Sequence, residues 1–575
     1  MKSGINAILN ILGGLLNKLS TKDVLFVCAS LIALCVLASN NSVLRKRGVR
    51  PQTEMVYIIN ADETLGDEVL HPGITVLRGH VRLRHKGMYL SCDSAFLNDK
   101  TNTFDAFGDV HIRQGDTLHI TSDFLYYDGM QELAKFRRNV KMKNRNTVLI
   151  TDSLDYNRKI NKAYYFQGGT LFDKDNVLVS DWGEYNPASK TSIFNYNVRL
   201  VNKKLTLNTD TLKYNTNTGI ASVFGPSKID TKQDHIKTNK GWYNTRTDQS
   251  GLLSRSEITT EKGRKLVGDT VFYNKKRAFG EAFGNVFLLD TANKAILRGG
   301  YCNYSESGTK SSSMATKHAL AIDYSQGDTV YLHGDTLKMK SFNVNTDSLY
   351  RELFAYHKVR VFRNDVQGVC DSLFFSSKDT CMHMYKDPIL WHEGQQVLGE
   401  EIQVFFNDST VSRAHIINQA LSIQKKDTVH YNQVTGKDMY LYFTKGDLKR
   451  TDVIGSVRIA YYPQEKDSSM IGLNRSDAGT MNVYTDQKKI KKIVLMTQPS
   501  GTLYPLAMVP DDKLYLDNFA WFDYIRPLNK DDVFTWRGKK KGTELKNTGR
   551  KDLPLPNRGL LGDSKKKDSK ENIKK

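Results

Sequence analysis

Residues 90–112 read LSCDSAFLNDKTNTFDAFGDVHI. A small residue and an aspartate, Cys92-Asp93, are followed by apolar residues two and four places on, Ala95 and Leu97. A polar stretch, NDKTN, then separates this run from a second one that ends on Val110 and Ile112. Offsets of two share one face of a strand, so the stretch is a strand, a turn and a second strand. The phrase returns at Ser122-Asp123, Thr151-Asp152, Ser180-Asp181, Thr209-Asp210, Thr238-Asn239 and Gly268-Asp269, at spacings of 29 or 30 residues. The fourth place beyond it holds Leu97, then Tyr127, Tyr156, Tyr185, Tyr214, Tyr243 and Tyr273. Aromatics held at one offset through successive units identify a repeat protein.

Each unit carries a second strand, with Val110, Val140, Val198 and Val286 at one common offset. Turn residues stand before that strand: Gly108-Asp109, Arg138-Asn139, Gly225-Pro226 and Gly284-Asn285. The clusters NDKTN, YNRKIN, YNPASK and YNTNTG read as hairpin turns between the two strands. No unit has room for a helix, so the fold class is all-β. A unit of this size cannot bury its apolar face alone, whereas stacked neighbours can. Two strands per unit predict two stacked sheets, an extended β-jelly roll of stacked two-strand repeats. A three-strand β-helix would need shorter coils without a hairpin in every unit. Past residue 290 the anchors continue near Gly300, Asp335, Asp371, Glu401 and Asp438, followed by Tyr304, Met339, Phe375, Phe405 and Tyr442. The expected organisation is an N-terminal segment (1–50), regular repeats (55–290), looser repeats with longer loops (291–462), a C-terminal cap (463–535) and a basic tail (536–575) that is disordered.

Net charge is +21 over 575 residues, which first suggests nucleic acid. The charge is concentrated at the ends. Residues 1–50 hold seven basic residues and one acidic; residues 537–575 hold fourteen and five. The tail has few large apolar residues and cannot offset its ordering entropy by burial. Near the start, the apolar run from Val24 to Ala38 spans about 22 Å as a helix, short of the ~30 Å bilayer core. It reads as an N-terminal hydrophobic helix, either a cleaved signal peptide or a signal-anchor transmembrane helix. The protein is therefore expected in the periplasm, exported or associated with a membrane through this segment, with no nucleic-acid partner.

The recurrent phrase resembles the OstA (organic solvent tolerance)/LptA-like family of lipopolysaccharide export. Its best copies here are residues 90–112 and VGDTVFYNKKRAFGEAFGNVFL at 267–288, with a later one at 437–459. The resemblance implies a Gram-negative cell and a β-jelly roll whose apolar interior shields acyl chains during outer-membrane assembly. It also implies lipopolysaccharide or a related lipid as partner, with other envelope jelly-roll proteins meeting it by end-to-end sheet pairing. The chain looks like a long form lacking the outer-membrane barrel of one relative. The lipid-groove candidates are Leu125, Tyr127, Val140, Met142, Leu154, Tyr156, Val198, Leu200, Val271, Tyr273, Val286 and Leu288. The same residues suit the closed core of a structural or adhesive envelope protein, the alternative reading.

A second alternative, a β-solenoid enzyme acting on polysaccharide, lacks a motif. There is no Walker loop, Gly-x-Ser-x-Gly or HExxH, and His392-Glu393 has no second histidine in register. No catalytic residue, metal site or cofactor is assigned. The repeated Asp reads as a turn or strand-start residue, because no rung clusters the oxygen ligands that Ca²⁺ requires. Cys370 and Cys381 flank a hairpin near Ser377-Lys378 and are the one candidate disulfide.

Overall fold

The computed structural model describes residues 55–543, except 67, 68, 70, 71, 262, 326, 345, 408, 409, 466, 468 and 488. The apolar run at 24–38 and the tail from 544 lie outside the described residues. Within them the chain forms 38 strands in one sheet, joined by turns and short 3₁₀ segments. Every strand pairing is antiparallel, and long strands follow one another as a meander. No described helix is long and apolar enough to cross a membrane.

The long strands are folded at their middles. Between Ile74–His85 and Met88–Asn98, Arg78 faces Ser94 and Val81 faces Cys92, so Gly79 and His80 together oppose Asp93. The same shift recurs at Phe107/Val110 against Phe124/Ser122, and at Arg137/Val140 against Ser153/Thr151. Two residues facing one is a β-bulge, which bends its strand. Both inserted residues take the left-handed conformation: Gly108 and Asp109 at φ 71° and 35°, Arg138 and Asn139 at 60° and 50°, His357 and Lys358 at 59° and 54°. The sequence places expected as turns before a second strand are thus corners inside one continuous strand. Each strand runs down one wall, turns the corner and continues in the other wall, rather than one strand of each unit lying in each sheet.

The repeated phrase now has a physical content. The small residue before the Asp donates to the carbonyl two residues on: Ser122 to Phe124 at 2.9 Å, Ser180 to Trp182 at 2.9 Å, Thr238 to Lys240 at 3.1 Å. The carboxylate faces the bulge. Asp123 accepts from Asn139 and Asp181 from Asn197, both at 2.7 Å. Where the bulge starts with glycine, the carboxylate takes the space a Cβ would need: one built on Gly108 would lie 2.2 Å from Asp93 Oδ2. The Asx residues at the strand ends close the next hairpin, with Asp128 accepting from Gln131 N at 2.8 Å and Asn215 from Thr218 N at 2.9 Å.

Burial alternates on each half-strand and changes phase at the corner, so one side of the sheet stays inside throughout. In Met88–Asn98 the buried positions are 88, 90 and 92, then 95 and 97. The interior divides into two apolar clusters, one running from the first strands to Val223, the other beginning at Leu252. In the late units the corner falls one residue earlier than the sequence beat suggests, at Glu400 and Lys437. Ile402, Val404, Met439 and Leu441 therefore face inward, and Phe405 and Tyr442 face out beneath Arg413 and Arg450; a one-residue shift exchanges the faces.

Residues 463–535, read as a cap, divide in two. Strands Gly472–Asp486, Lys489–Met496 and Ser500–Pro505 extend the sheet by further rungs. Residues 506–537 then run back as an extended strap on the outer face of earlier strands, where Phe522 and Ile525 pack against Val369, Ile389, Trp391, Leu421 and Ile423. The four cysteines among the described residues are free thiols. The hairpin register sets Ser376, not Cys370, opposite Cys381, so the proposed disulfide does not form. Burial pushes the Cys92 thiol up to about 12.

The corner predicts an energetic coupling. Gly108→Ala should destabilise the protein by about 1–3 kcal/mol through the left-handed φ and the encroachment on Asp93. The Gly108→Ala/Asp93→Ala double variant should lose less than the sum of the two single changes in urea unfolding; strict additivity would show that the two residues do not share the corner.

Candidate functional site

The space between the two walls is the candidate site, and its mouth lies at the hairpin ends. Over the first cluster that mouth is latched by the repeated tyrosines. Tyr127 is fully buried, and its hydroxyl lies 2.7 Å from His85 Nδ1 on the opposite wall. Arg158 donates to the same hydroxyl at 2.9 Å, to Gln114 Oε1 at 3.1 Å and to the Lys86 carbonyl at 3.0 Å. Asn144 donates to Tyr185 at 3.1 Å; Asn176 donates to Tyr214 at 3.1 Å, and Tyr214 donates to Asp173 at 2.8 Å. Ion pairs close the lips outside, Lys86 with Glu132 at 2.7 Å and Lys204 with Asp248 at 2.8 Å. Buried polar groups need such partners, so each tyrosine ties its rung shut.

The electrostatics agree with closure. Burial pushes the Tyr127 and Tyr156 phenols up to about 12. Burial alone would raise the Glu132 and Asp248 carboxyls. Hydrogen bonds and charge from Lys86 and Arg158, and from Lys204 and Tyr243, override it and hold both below the ordinary carboxylate range.

Beyond the last latch the mouth opens. Tyr273, Tyr304 and Met339 occupy the latch position but are 43%, 40% and 39% exposed. The Tyr304 hydroxyl donates to Glu306 on its own strand at 2.7 Å instead of crossing. In the closed rungs the crossing partner ends a half-strand of the opposite wall, as Asn144 and Asp173 do; the residue at that register for Tyr304 is Thr260, whose hydroxyl instead accepts from Arg264 N at 3.1 Å in its own hairpin. The corner stays packed, with Val271, Ala282, Val286, Cys302 and Ala315 buried. Towards the mouth Ile258, Leu266, Leu288, Leu297 and Leu353 are only half-buried. The result is a V-shaped trough with an apolar floor.

Cations stand on both lips of the trough. The turn Lys275–Arg277 supplies three from one wall. Arg264 from the other, paired with Asp290 at 3.1 Å, is close enough to Tyr304 to act on its phenol. Arg351 likewise acts across the opening on Asp290. An apolar trough edged by cations is chemically suited to an amphiphile with an anionic head; each buried CH₂ is worth about 0.8 kcal/mol. Among the described residues no cluster of His, Cys, Asp or Glu could hold a metal ion.

The groove candidates fall on both sides of this division. Leu125, Tyr127, Val140, Met142, Leu154, Tyr156, Val198 and Leu200 are sealed inside the first cluster; Val271 and Val286 lie at the buried corner of the second. Tyr273 and Leu288 are reached from the open mouth. Sequence reading missed Leu266, Leu297 and the lip cations, because the tyrosine beat continues through Tyr273 and Tyr304 after its partners have gone.

Residues 53–210 match the family described as OstA-like protein, so the resemblance holds over this stretch, which lies in the latched part. Among solved structures, the chain is similar to LptH of Pseudomonas aeruginosa, described as the LptA-homologous periplasmic component of a lipopolysaccharide transport device. Identity is 17%, the match covers 24% of this chain and 81% of that one, and the TM-score is 0.14. No curated protein matches.

The latch generates two expectations. Tyr214→Phe leaves Asp173 and Asn176 short of a partner in a buried site and should cost about 1–3 kcal/mol, with faster amide exchange in the 173–176 turn; Tyr304→Phe should stay within about 0.5 kcal/mol. Glu132 and Asp248 have depressed folded values. The stability they lend is present above the ordinary carboxylate range and is lost as pH falls through those lower values. Amide exchange at the 129–132 and 245–248 turns should therefore accelerate on acidification; exchange there that tracks only intrinsic rates would contradict the latch.

Proposed function

We propose that this chain, OstA-like over residues 53–210, is a non-enzymatic carrier that shields the acyl chains of lipopolysaccharide in the periplasm. The observation that carries the reading is the open trough between Tyr273 and Met339, with half-buried Leu266, Leu288 and Leu297 inside and cations on its lips. A fourteen-carbon acyl chain in water costs on the order of 10 kcal/mol, so a carrier needs a continuous apolar surface the chain can enter. The latched first cluster has the closed core expected of a structural β-repeat protein; in this reading it is the rigid stem beside the lipid-accessible part. Among the described residues, the sheet's first strands, Tyr57–Asn60 and Glu63–Gly66, and its last, Lys489–Met496 and Ser500–Pro505, have no strand on their outer edges. Such edges would pair with other envelope jelly rolls. The N-terminal apolar segment would supply the membrane attachment or the export signal.

A photo-crosslinking amino acid at Leu266, Leu297 or Met339, in growing cells, should yield lipopolysaccharide adducts. The same probe at sealed Leu154 or at outward-facing Lys228 should not. Absence of adducts at all three trough positions, or equal yields at Lys228, would sink the carrier reading.

A further inference from the structure

The strap at 506–537 lies across strands rather than beside them, and its fastening is unusual. Gln433 donates to the Leu514 carbonyl at 2.9 Å and accepts from Leu516 N at 2.8 Å. Gln396 does the same with the Ala520 carbonyl at 2.7 Å and Phe522 N at 2.8 Å. Gln367 accepts from Arg526 at 2.8 Å. All three glutamines are almost fully buried. Two of them thus read the strap's backbone in both directions, which places no demand on its side chains. Side chains are taken up by separate apolar sockets: Leu516 beside Ala460, Tyr462 and Leu473, Phe522 and Ile525 on the Trp391 face, and Val533 against Leu320 and Ile322.

The far end of the strap is the imperfect one. Arg360 is 2% exposed and donates through Nε to the Val533 carbonyl, but its Nη1 is buried without a hydrogen-bond partner. The neighbouring carboxylates act on Arg360 only at a distance: Asp335 and Asp532 both favour its charge, but Asp532 is itself held by Arg537 at 2.6 and 2.8 Å, and His333 and His318 lie under Phe534. What covers the guanidinium is the Trp536 indole at 5.5 Å, itself 44% exposed. A buried cation facing a ring instead of a carboxylate is a weak closure, since a charge-assisted hydrogen bond is roughly twice as strong as a neutral one.

We propose that this outer wall is a docking groove for an extended polypeptide segment of a partner protein, occupied in cis by the strap. The partner's segment is apolar at the socket positions and brings a carboxylate to Arg360, displacing the strap from its Trp536 end. The backbone-reading glutamines make the groove tolerant of sequence, and the unpaired Nη1 sets the one charge requirement. The strap's tether gives it a high effective concentration, so a competing segment succeeds only with an interaction the strap lacks.

Two labelled synthetic peptides test this on the full-length protein: residues 514–536 as they stand, and the same peptide carrying Trp536→Glu. The acidic peptide should bind saturably and about tenfold tighter than the native one, the discrimination expected of one added charge-assisted contact. Its binding should speed amide exchange in the protein's own 514–536 segment. Arg360→Gln should abolish the difference between the peptides. Gln396→Ala should weaken both, and circular dichroism would verify that each variant is folded. Failure of both peptides to bind, equal affinity for the two, or a strap that stays protected while peptide binds would each overturn the proposal. So would release of the strap by phosphatidylglycerol vesicles but not by peptide, which would make the wall a lipid-facing surface.

Discussion

The rest of the molecule depends on the corner, where two left-handed residues on one strand oppose a single residue on the next. Without it an eleven- or twelve-residue strand would be one straight ladder with half its apolar residues on the wrong side. With it, the inside stays inside through the bend, and each strand contributes to both walls. Left-handed non-glycine residues cost roughly 1–2 kcal/mol each. The cost recurs at corner after corner and is offset locally by the aspartate facing the bulge and by the small residue that bonds the carbonyl beyond it. The beat of Asp and Tyr is accordingly two devices in one phrase: the Asp side makes the corner, and the Tyr side decides whether the far ends of the walls are tied together.

Function follows from where the second device stops. From Tyr127 to Tyr243 the hydroxyls have partners across the mouth or in a lip bridged by Lys204. At Tyr273 and Tyr304 the rings remain but stand open to solvent. One fold thereby yields a sealed stem and an accessible trough without a change in strand topology. The stretch matching the OstA-like family lies on the sealed side, and the trough lies beyond it.

Much of this was legible in the residues. The spacing of Asp123, Asp152 and Asp181 with Tyr127, Tyr156 and Tyr185 defined the repeat, the all-β class and the inward face. Three things were not legible. Gly108-Asp109 and Arg138-Asn139 look like hairpin turns because a corner and a turn draw on the same left-handed conformations; only the pairing register tells them apart. The latch partners of Tyr127, Tyr156, Tyr185 and Tyr214 lie 41 or 42 residues away, in turns that share no motif, so no local pattern announces that Tyr304 turns to Glu306 on its own strand. The late shift to Glu400 and Lys437 escaped for a related reason: Asp438 and Tyr442 keep the spacing of the phrase on the opposite face.

The meander has one more implication. Among the described residues the backbone ladder joins each rung only to rungs next to it in sequence, so the sheet's pairing is local despite the all-β architecture. A chain of this kind can assemble rung by rung in the order it is delivered, each new hairpin condensing on a finished edge. It can also change length by whole hairpins without redesigning those already in place. The strap alone reaches back, with Val533 meeting Arg360 across 173 residues. Among the described residues it is therefore the last contact to form on a sheet assembled in chain order.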